Sequence, residues 1–101
     1  MRSPVVKFSD ITLTNSRGTF SDVLGEFVAC GVLYHAKNVE KYMDLKKRKQ
    51  WGIEPMELVS NKHMLIVGYG DIGTSCAKIA KEGFGMKVTG LNTDPTACTE
   101  E

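Results

Sequence analysis

Met64-Leu65-Ile66-Val67-Gly68-Tyr69-Gly70-Asp71-Ile72-Gly73 is the stretch that decides the fold. Four uninterrupted apolar residues read as a strand, and the glycines after them stand at G-x-G-x-x-G spacing. Thr74 to Glu82 continues as a helix, and Met86-Lys87-Val88-Thr89-Gly90-Leu91 as a second apolar strand. Strand, glycine turn, helix and strand make the opening βαβ of a parallel sheet. A glycine triplet alone is weak evidence; between an apolar strand and a helix start it carries a mechanism. The expected fold class is therefore α/β: a partial Rossmann fold, the opening βαβ of a parallel sheet, preceded by a strand and crossover helices.

The turn predicts a dinucleotide site. Gly68 permits the tight turn, Gly70 lets the backbone approach a pyrophosphate with no Cβ in the way, and Gly73 lets helix and strand pack closely. Backbone N–H groups near Asp71 and Ile72 then face phosphate oxygens at the helix N-terminus. A ribose-reading residue is expected at the end of the second strand, about 20 residues on. Asn92, 22 residues after Gly70, stands there. Its amide hydrogen-bonds ribose hydroxyls without repelling a 2′-phosphate as a carboxylate would, so NAD and NADP both remain open. A strand-end Asn that merely starts a turn explains the residue equally well. The candidate cofactor-binding set is Gly68, Tyr69, Gly70, Asp71, Ile72, Gly73, Asn92 and Thr93, with NAD or NADP as the cofactor.

Upstream, Ile11-Thr12-Leu13-Thr14 reads as a short strand closed by a turn at Asn15-Ser16-Arg17-Gly18. Ser21 is placed to cap a helix that runs to Ala36, with Asp22 and Glu26 near its start and Val23, Leu24, Phe27, Val28, Val32 and Leu33 as apolar positions. This helix is expected to be mostly buried. Gly25 and Gly31 inside it cost about 1 kcal/mol each relative to Ala, which close packing against another element would offset. Asn38 is expected to cap a second helix, Val39 toward Lys49, with Tyr42, Met43 and Leu45 inward and an Asp44–Arg48 pair at i,i+4. Trp51-Gly52 breaks the pattern, and Pro55 keeps the chain irregular until the next apolar run. Beyond Leu91 the sequence is polar and aperiodic.

The chain has 101 residues, 42% hydrophobic and 25% charged, with a formal net charge of +1. That is a globular composition, and nothing in it calls for nucleic acid or a membrane. No apolar run approaches ~18 residues, and the N-terminus lacks the apolar core of a signal peptide. Three cysteines, Cys30, Cys76 and Cys98, are an odd number without a C-x-x-C pair, which argues against a disulfide framework or a zinc site. A soluble protein of a reducing, cytoplasmic compartment is expected, with the reservation that a truncated start would hide an organellar targeting segment.

In order and spacing, Asn15-Ser16-Arg17-Gly18, Gly25-Glu26, Arg48-x-x-Trp51, Asn61-Lys62, Ile66-Val67-Gly68-x-Gly70-x-Ile72-Gly73 and Phe84-Gly85-Met86-Lys87-Val88 resemble the D-isomer-specific 2-hydroxyacid dehydrogenases over residues 11 to 93. The resemblance implies that residues 1–20 end a substrate domain and that 21–101 begin an NAD(P)-binding Rossmann domain. It also implies a homodimer packed through the Ser21 to Ala36 helix, and hydride transfer between a nicotinamide cofactor and a 2-hydroxy or 2-keto acid. The chain departs from the family pattern at Gly25, where Ala is usual, at Asn61, where Gly commonly precedes Lys, and at Asp71, where Arg is frequent. Lys81-Glu82-Gly83-Phe84-Gly85 is one residue longer than usual, an excess expected to be absorbed at the helix end. The family's catalytic arginine, glutamate and histidine would lie beyond Glu101, so no residue here is expected to be catalytic. The alternative is a non-catalytic interaction module of the same fold, for which the bound dinucleotide is a regulatory ligand.

Other residues read as ordinary. His35 and His63 match no family motif and are expected to be surface or packed histidines. Lys46-Lys47-Arg48-Lys49 reads as a solvated helix end favoured by the dipole. Cys76 suits packing of the post-glycine helix against the sheet.

Overall fold

A computed structural model describes residue 10 and residues 12–93. Its order is helix α1 (Ser21–Ala36), helix α2 (Val39–Lys47), a 3₁₀ turn (Val59–Asn61), strand β1 (His63–Val67), helix α3 (Asp71–Lys78) running into a π-helical turn (Ile79–Gly83), and strand β2 (Lys87–Leu91). The strands pair in parallel from His63↔Lys87 to Val67↔Leu91. The βαβ unit therefore stands where the apolar runs and glycine turn put it, with the start of each strand moved by a single residue.

The surplus residue near Lys81 has a visible destination. A π-turn fits one extra residue into a helix by widening a turn. Here it occupies Ile79–Gly83, after which the chain leaves through Gly85 at φ +65°. Met86 N–H then donates to Ala80 C=O at 3.0 Å, so the return into β2 starts from the widened turn.

Small side chains bring the layers together. A Cβ on Gly25 would lie 2.9 Å from both Ile79 Cδ1 and Ser75 Oγ, so α1 rests on α3 at this glycine. Gly31 has nothing within 4 Å of its Cβ position, so the close packing expected there is absent among the described residues. The core is Val59, Ala80 and Met86, flanked by half-buried Val32, Leu33, Met64 and Val88. Cys76 and Ala77 are buried as well.

Several expectations are corrected. Thr12 to Thr14 form no strand, and Ile11 lies outside the described residues. A strand needs a partner for its N–H and C=O groups, and among the described residues Thr12 to Thr14 pair with neither β1 nor β2. The α1 helix is not mostly buried: Phe27 is 77% and Val23 63% exposed, because no described element covers that side. Ser21 does not cap α1; Phe20 holds the cap position without a side-chain bond, and the Ser21 hydroxyl is used elsewhere. Asn38 precedes α2, but in the left-handed region at φ 51°, and its Nδ2 donates to Pro55 C=O rather than capping. Met43 is half-exposed, whereas Tyr42 and Leu45 are partly buried. The Asp44–Arg48 pair forms as expected.

The segment between Gln50 and β1 is irregular but anchored. Tyr42 Oη donates to Glu54 C=O at 3.1 Å and accepts from Glu54 N–H at 3.0 Å. Glu57 N–H donates to Ala36 C=O at 3.0 Å, and Lys62 Nζ stands 2.5 Å from the Glu57 carboxylate. The Lys62 hydrogen bond and positive charge hold the Glu57 carboxyl below the ordinary carboxylate range. A lowered acid stabilises the fold above its unfolded-state value and ceases to do so as pH falls through the lowered one; at this fully exposed site solvent screens the effect.

Candidate functional site

The glycine turn is built by its own backbone. Gly68 has φ +94°, a conformation that L side chains rarely adopt, and its N–H and that of Tyr69 both donate to Leu91 C=O at 2.9 and 3.0 Å. The turn is thereby tied to the C-terminal end of β2. Gly70 N–H donates back to Gly68 C=O at 2.9 Å, and Gly70 C=O accepts from both the N–H and the Oγ1 of Thr74 at 2.8 Å, which sets the first turn of α3. The leading N–H groups of α3 have no acceptor within the helix, as at any helix start.

The three glycines do different things. A Cβ at Gly73 would fall 2.7 Å from Gly68 C=O and 3.1 Å from Ile66 Cγ2, so this residue sets how closely α3 meets β1 and the turn. A Cβ at Gly70 meets nothing within 4 Å, so that glycine leaves open space beside the turn. Gly73→Val is accordingly expected to cost at least about 3 kcal/mol, read as a lowered urea midpoint of the intact protein. A change below about 1 kcal/mol would mean that the two backbones can separate cheaply.

Beside the turn lies an open cavity of about 460 Å³, whose floor includes Gly68, Gly70, Asp71, Ile72 and Gly73. Its opposite wall comes from the turn before α1 and from α1 itself, through Arg17, Gly18, Phe20 and Leu24. Ser21 joins the two walls: its Oγ donates to Asp71 Oδ2 at 2.5 Å, across 50 residues of sequence. A second bridge runs from Ser75 Oγ to Asp22 Oδ1 at 3.3 Å. Neither bridge has a local sequence signal, and both escaped sequence reasoning.

Asn92 and Thr93 stand at the end of β2, next to the turn. Asn92 Nδ2 donates to Tyr69 C=O at 3.2 Å, and its Oδ1 accepts from Thr93 N–H at 2.9 Å. Asn92 therefore braces the glycine loop, leaving one amide hydrogen and spare acceptor capacity on Oδ1. The Tyr69 ring packs over Gly90, where a Cβ would collide with Tyr69 Cδ2 and Cγ. Gly90 was a signal available in the sequence, since a strand-interior glycine often marks such a close approach. All eight candidate residues thus fall in one region at the C-terminal ends of the two strands, where open α/β sheets bind ligands.

His63 is exposed and away from the cavity lining, with Nε2 2.8 Å from Thr89 Oγ1 across the sheet. Among the described residues no group of His, Cys, Asp and Glu is arranged to hold a metal ion, and no helix is long and apolar enough to cross a membrane.

A parallel βαβ unit with a glycine turn between strand and helix defines a Rossmann-type fold. The model of the D-isomer specific 2-hydroxyacid dehydrogenase NAD-binding domain matches residues 30–101, and the chain belongs to that family. A D-isomer specific 2-hydroxyacid dehydrogenase family protein from Aeromonas salmonicida superimposes with a TM-score of 0.77 at 33% identity, covering 83% of this chain and 27% of that one. A glycerate dehydrogenase related protein from Thermoplasma acidophilum does so with a TM-score of 0.69 at 32% identity, covering 76% and 27%. A Xanthobacter autotrophicus D-isomer specific 2-hydroxyacid dehydrogenase, in complex with NADPH and MES, shares the fold with a TM-score of 0.74 at 23% identity, covering 89% and 37%. The chain spans about a quarter of the length of the first two. A search of curated protein sequences finds no match.

Proposed function

We propose that this chain supplies the pyrophosphate-binding turn of an NAD(P)-dependent oxidoreductase that interconverts a 2-hydroxy acid and its 2-keto acid. The observation that carries the reading is the pairing of Gly68 at φ +94° with open space at Gly70, where the start of α3 meets a cavity. Helix-terminal N–H groups and a missing Cβ are what a pyrophosphate needs for close approach. A bound nicotinamide would supply the hydride chemistry. The chain's own part is to hold the dinucleotide: the backbone of residues 70–73 takes the phosphates, and Asn92 and Thr93 meet the adenosine ribose.

Substrate-side acid–base groups are assigned to sequence beyond this chain, residues 1–20 to the end of a substrate domain, and 21–101 to the start of the cofactor domain. The exposed apolar side of α1 suits it to a homodimer interface in a cytoplasmic enzyme. Turnover of glyoxylate, hydroxypyruvate or pyruvate with NADH or NADPH by the intact protein tests the reading. Cofactor binding without turnover of any 2-keto acid would favour the non-catalytic module instead.

Cofactor discrimination is expected to be weak. Asn92 presents neither the carboxylate that disfavours a 2′-phosphate nor a cation that attracts it. Asn92→Asp should move preference toward NAD by about tenfold, about 1.4 kcal/mol, in paired titrations with NADH and NADPH. An unmodified protein that already prefers one cofactor by far more than tenfold would show that another residue decides.

A further inference from the structure

Asp71 is the one charged side chain contributed by the glycine turn and the first turn of α3, and it lines the cavity. Its position stabilises the helix, because a negative charge beside the leading N–H groups opposes the helix dipole. The same N–H groups are the ones a phosphate would use, so the acid and an incoming anion compete for one electrostatic environment. Asp71 is also tethered. The Ser21 hydroxyl donates to its Oδ2 at 2.5 Å, and Gly18 stands close by, where a Cβ would be 3.9 Å from the same oxygen. The bond holds the carboxylate in place beside the cavity, and rotating it away breaks that bond. Arg17, on the opposite wall, is the cation lining the cavity, and no ion pair joins it to Asp71 among the described residues.

We propose that Asp71, fixed by Ser21, is a residue that weakens dinucleotide binding: its charge beside the α3 N-terminus raises the cost of bringing a pyrophosphate there and keeps the cofactor exchangeable. This rests on the assignment of the cavity to a dinucleotide. It assigns Ser21 a positioning role, holding the acid at the cavity instead of capping its own helix.

The test is titration of NADH into the intact protein and its Asp71→Asn variant, at low and high salt, with thermal melts of both. The amide keeps the shape and can still accept from Ser21, but lacks the charge. Asp71→Asn is expected to bind NADH about five- to tenfold more tightly at low salt, through slower dissociation, while melting at a slightly lower temperature. The ratio of the two affinities should shrink as salt rises, since screening weakens the repulsion that only the charged form exerts. If Asp71→Asn folds poorly, Asp71→Ser, which also favours a helix start, takes its place with the same expected gain. NADH binding that is equal in both proteins, or a gain that salt does not alter, overturns the role of Asp71 while leaving the cofactor site standing. Absence of NADH binding by both proteins removes the site assignment, and this inference with it.

Discussion

Gly70→Val is expected to abolish dinucleotide binding while leaving the protein folded. Gly70 has φ −100°, outside the left-handed region that only glycine adopts freely, and a Cβ there meets no atom within 4 Å beyond its chain neighbours. The new side chain thus has room in the protein and would project into the space assigned to the pyrophosphate. A loss of at least about a hundredfold in affinity for both NADH and NADPH, near 2.7 kcal/mol, should appear in calorimetry on the intact protein, with an unchanged melt. Gly73 is the contrasting case, since there the Cβ collides with Gly68 C=O and the damage falls on the fold. Unchanged affinity in a folded Gly70→Val protein would place the dinucleotide elsewhere.

The second large effect concerns residues 1–101 expressed alone, which should give no turnover and should associate. Among the described residues the sheet has two strands, and its outward face shows Leu65, Val67 and Leu91, with Val67 79% exposed. Parallel sheets are ordinarily covered on both faces, so this surface and both strand edges are open to other chains. The apolar side of α1 adds Val23 and Phe27, and the irregular segment after α2 adds Trp51 and Ile53. No large side chain among the described residues is fully buried, so little packing opposes exchange of these surfaces between molecules. Size measurement should report oligomers or aggregates and the melt should lack a cooperative transition. A monomer with a cooperative melt would contradict the folding claim, and measurable reduction of glyoxylate, hydroxypyruvate or pyruvate would contradict the catalytic one.

What the sequence disclosed was the local and periodic part. Met64 to Val67 is an apolar run and Met86 to Leu91 an alternating one, both beside glycines, and their pairing accords with the βαβ rule, so the site's frame was readable from the residues alone. The extra residue near Lys81 was legible as a surplus; that it widens the helix into a π-turn needed the structure. The failures share a cause in long-range context. Ile11 to Thr14 has strand composition, but Thr12 to Thr14 pair with no strand among the described residues, and propensity without a partner leaves backbone groups unsatisfied. Ser21 and Asn38 have capping side chains, yet their polar atoms are drawn to Asp71 and Pro55, far away in sequence. Asn92 stands at the expected strand end, whereas its brace to Tyr69 depends on the sheet having formed.

The most direct measurement is a structure of the intact protein with NADH bound. The expected result places the pyrophosphate oxygens within hydrogen-bond distance of backbone N–H groups in residues 70–73, with the ribose next to Asn92. A dinucleotide bound away from the glycine turn would contradict it.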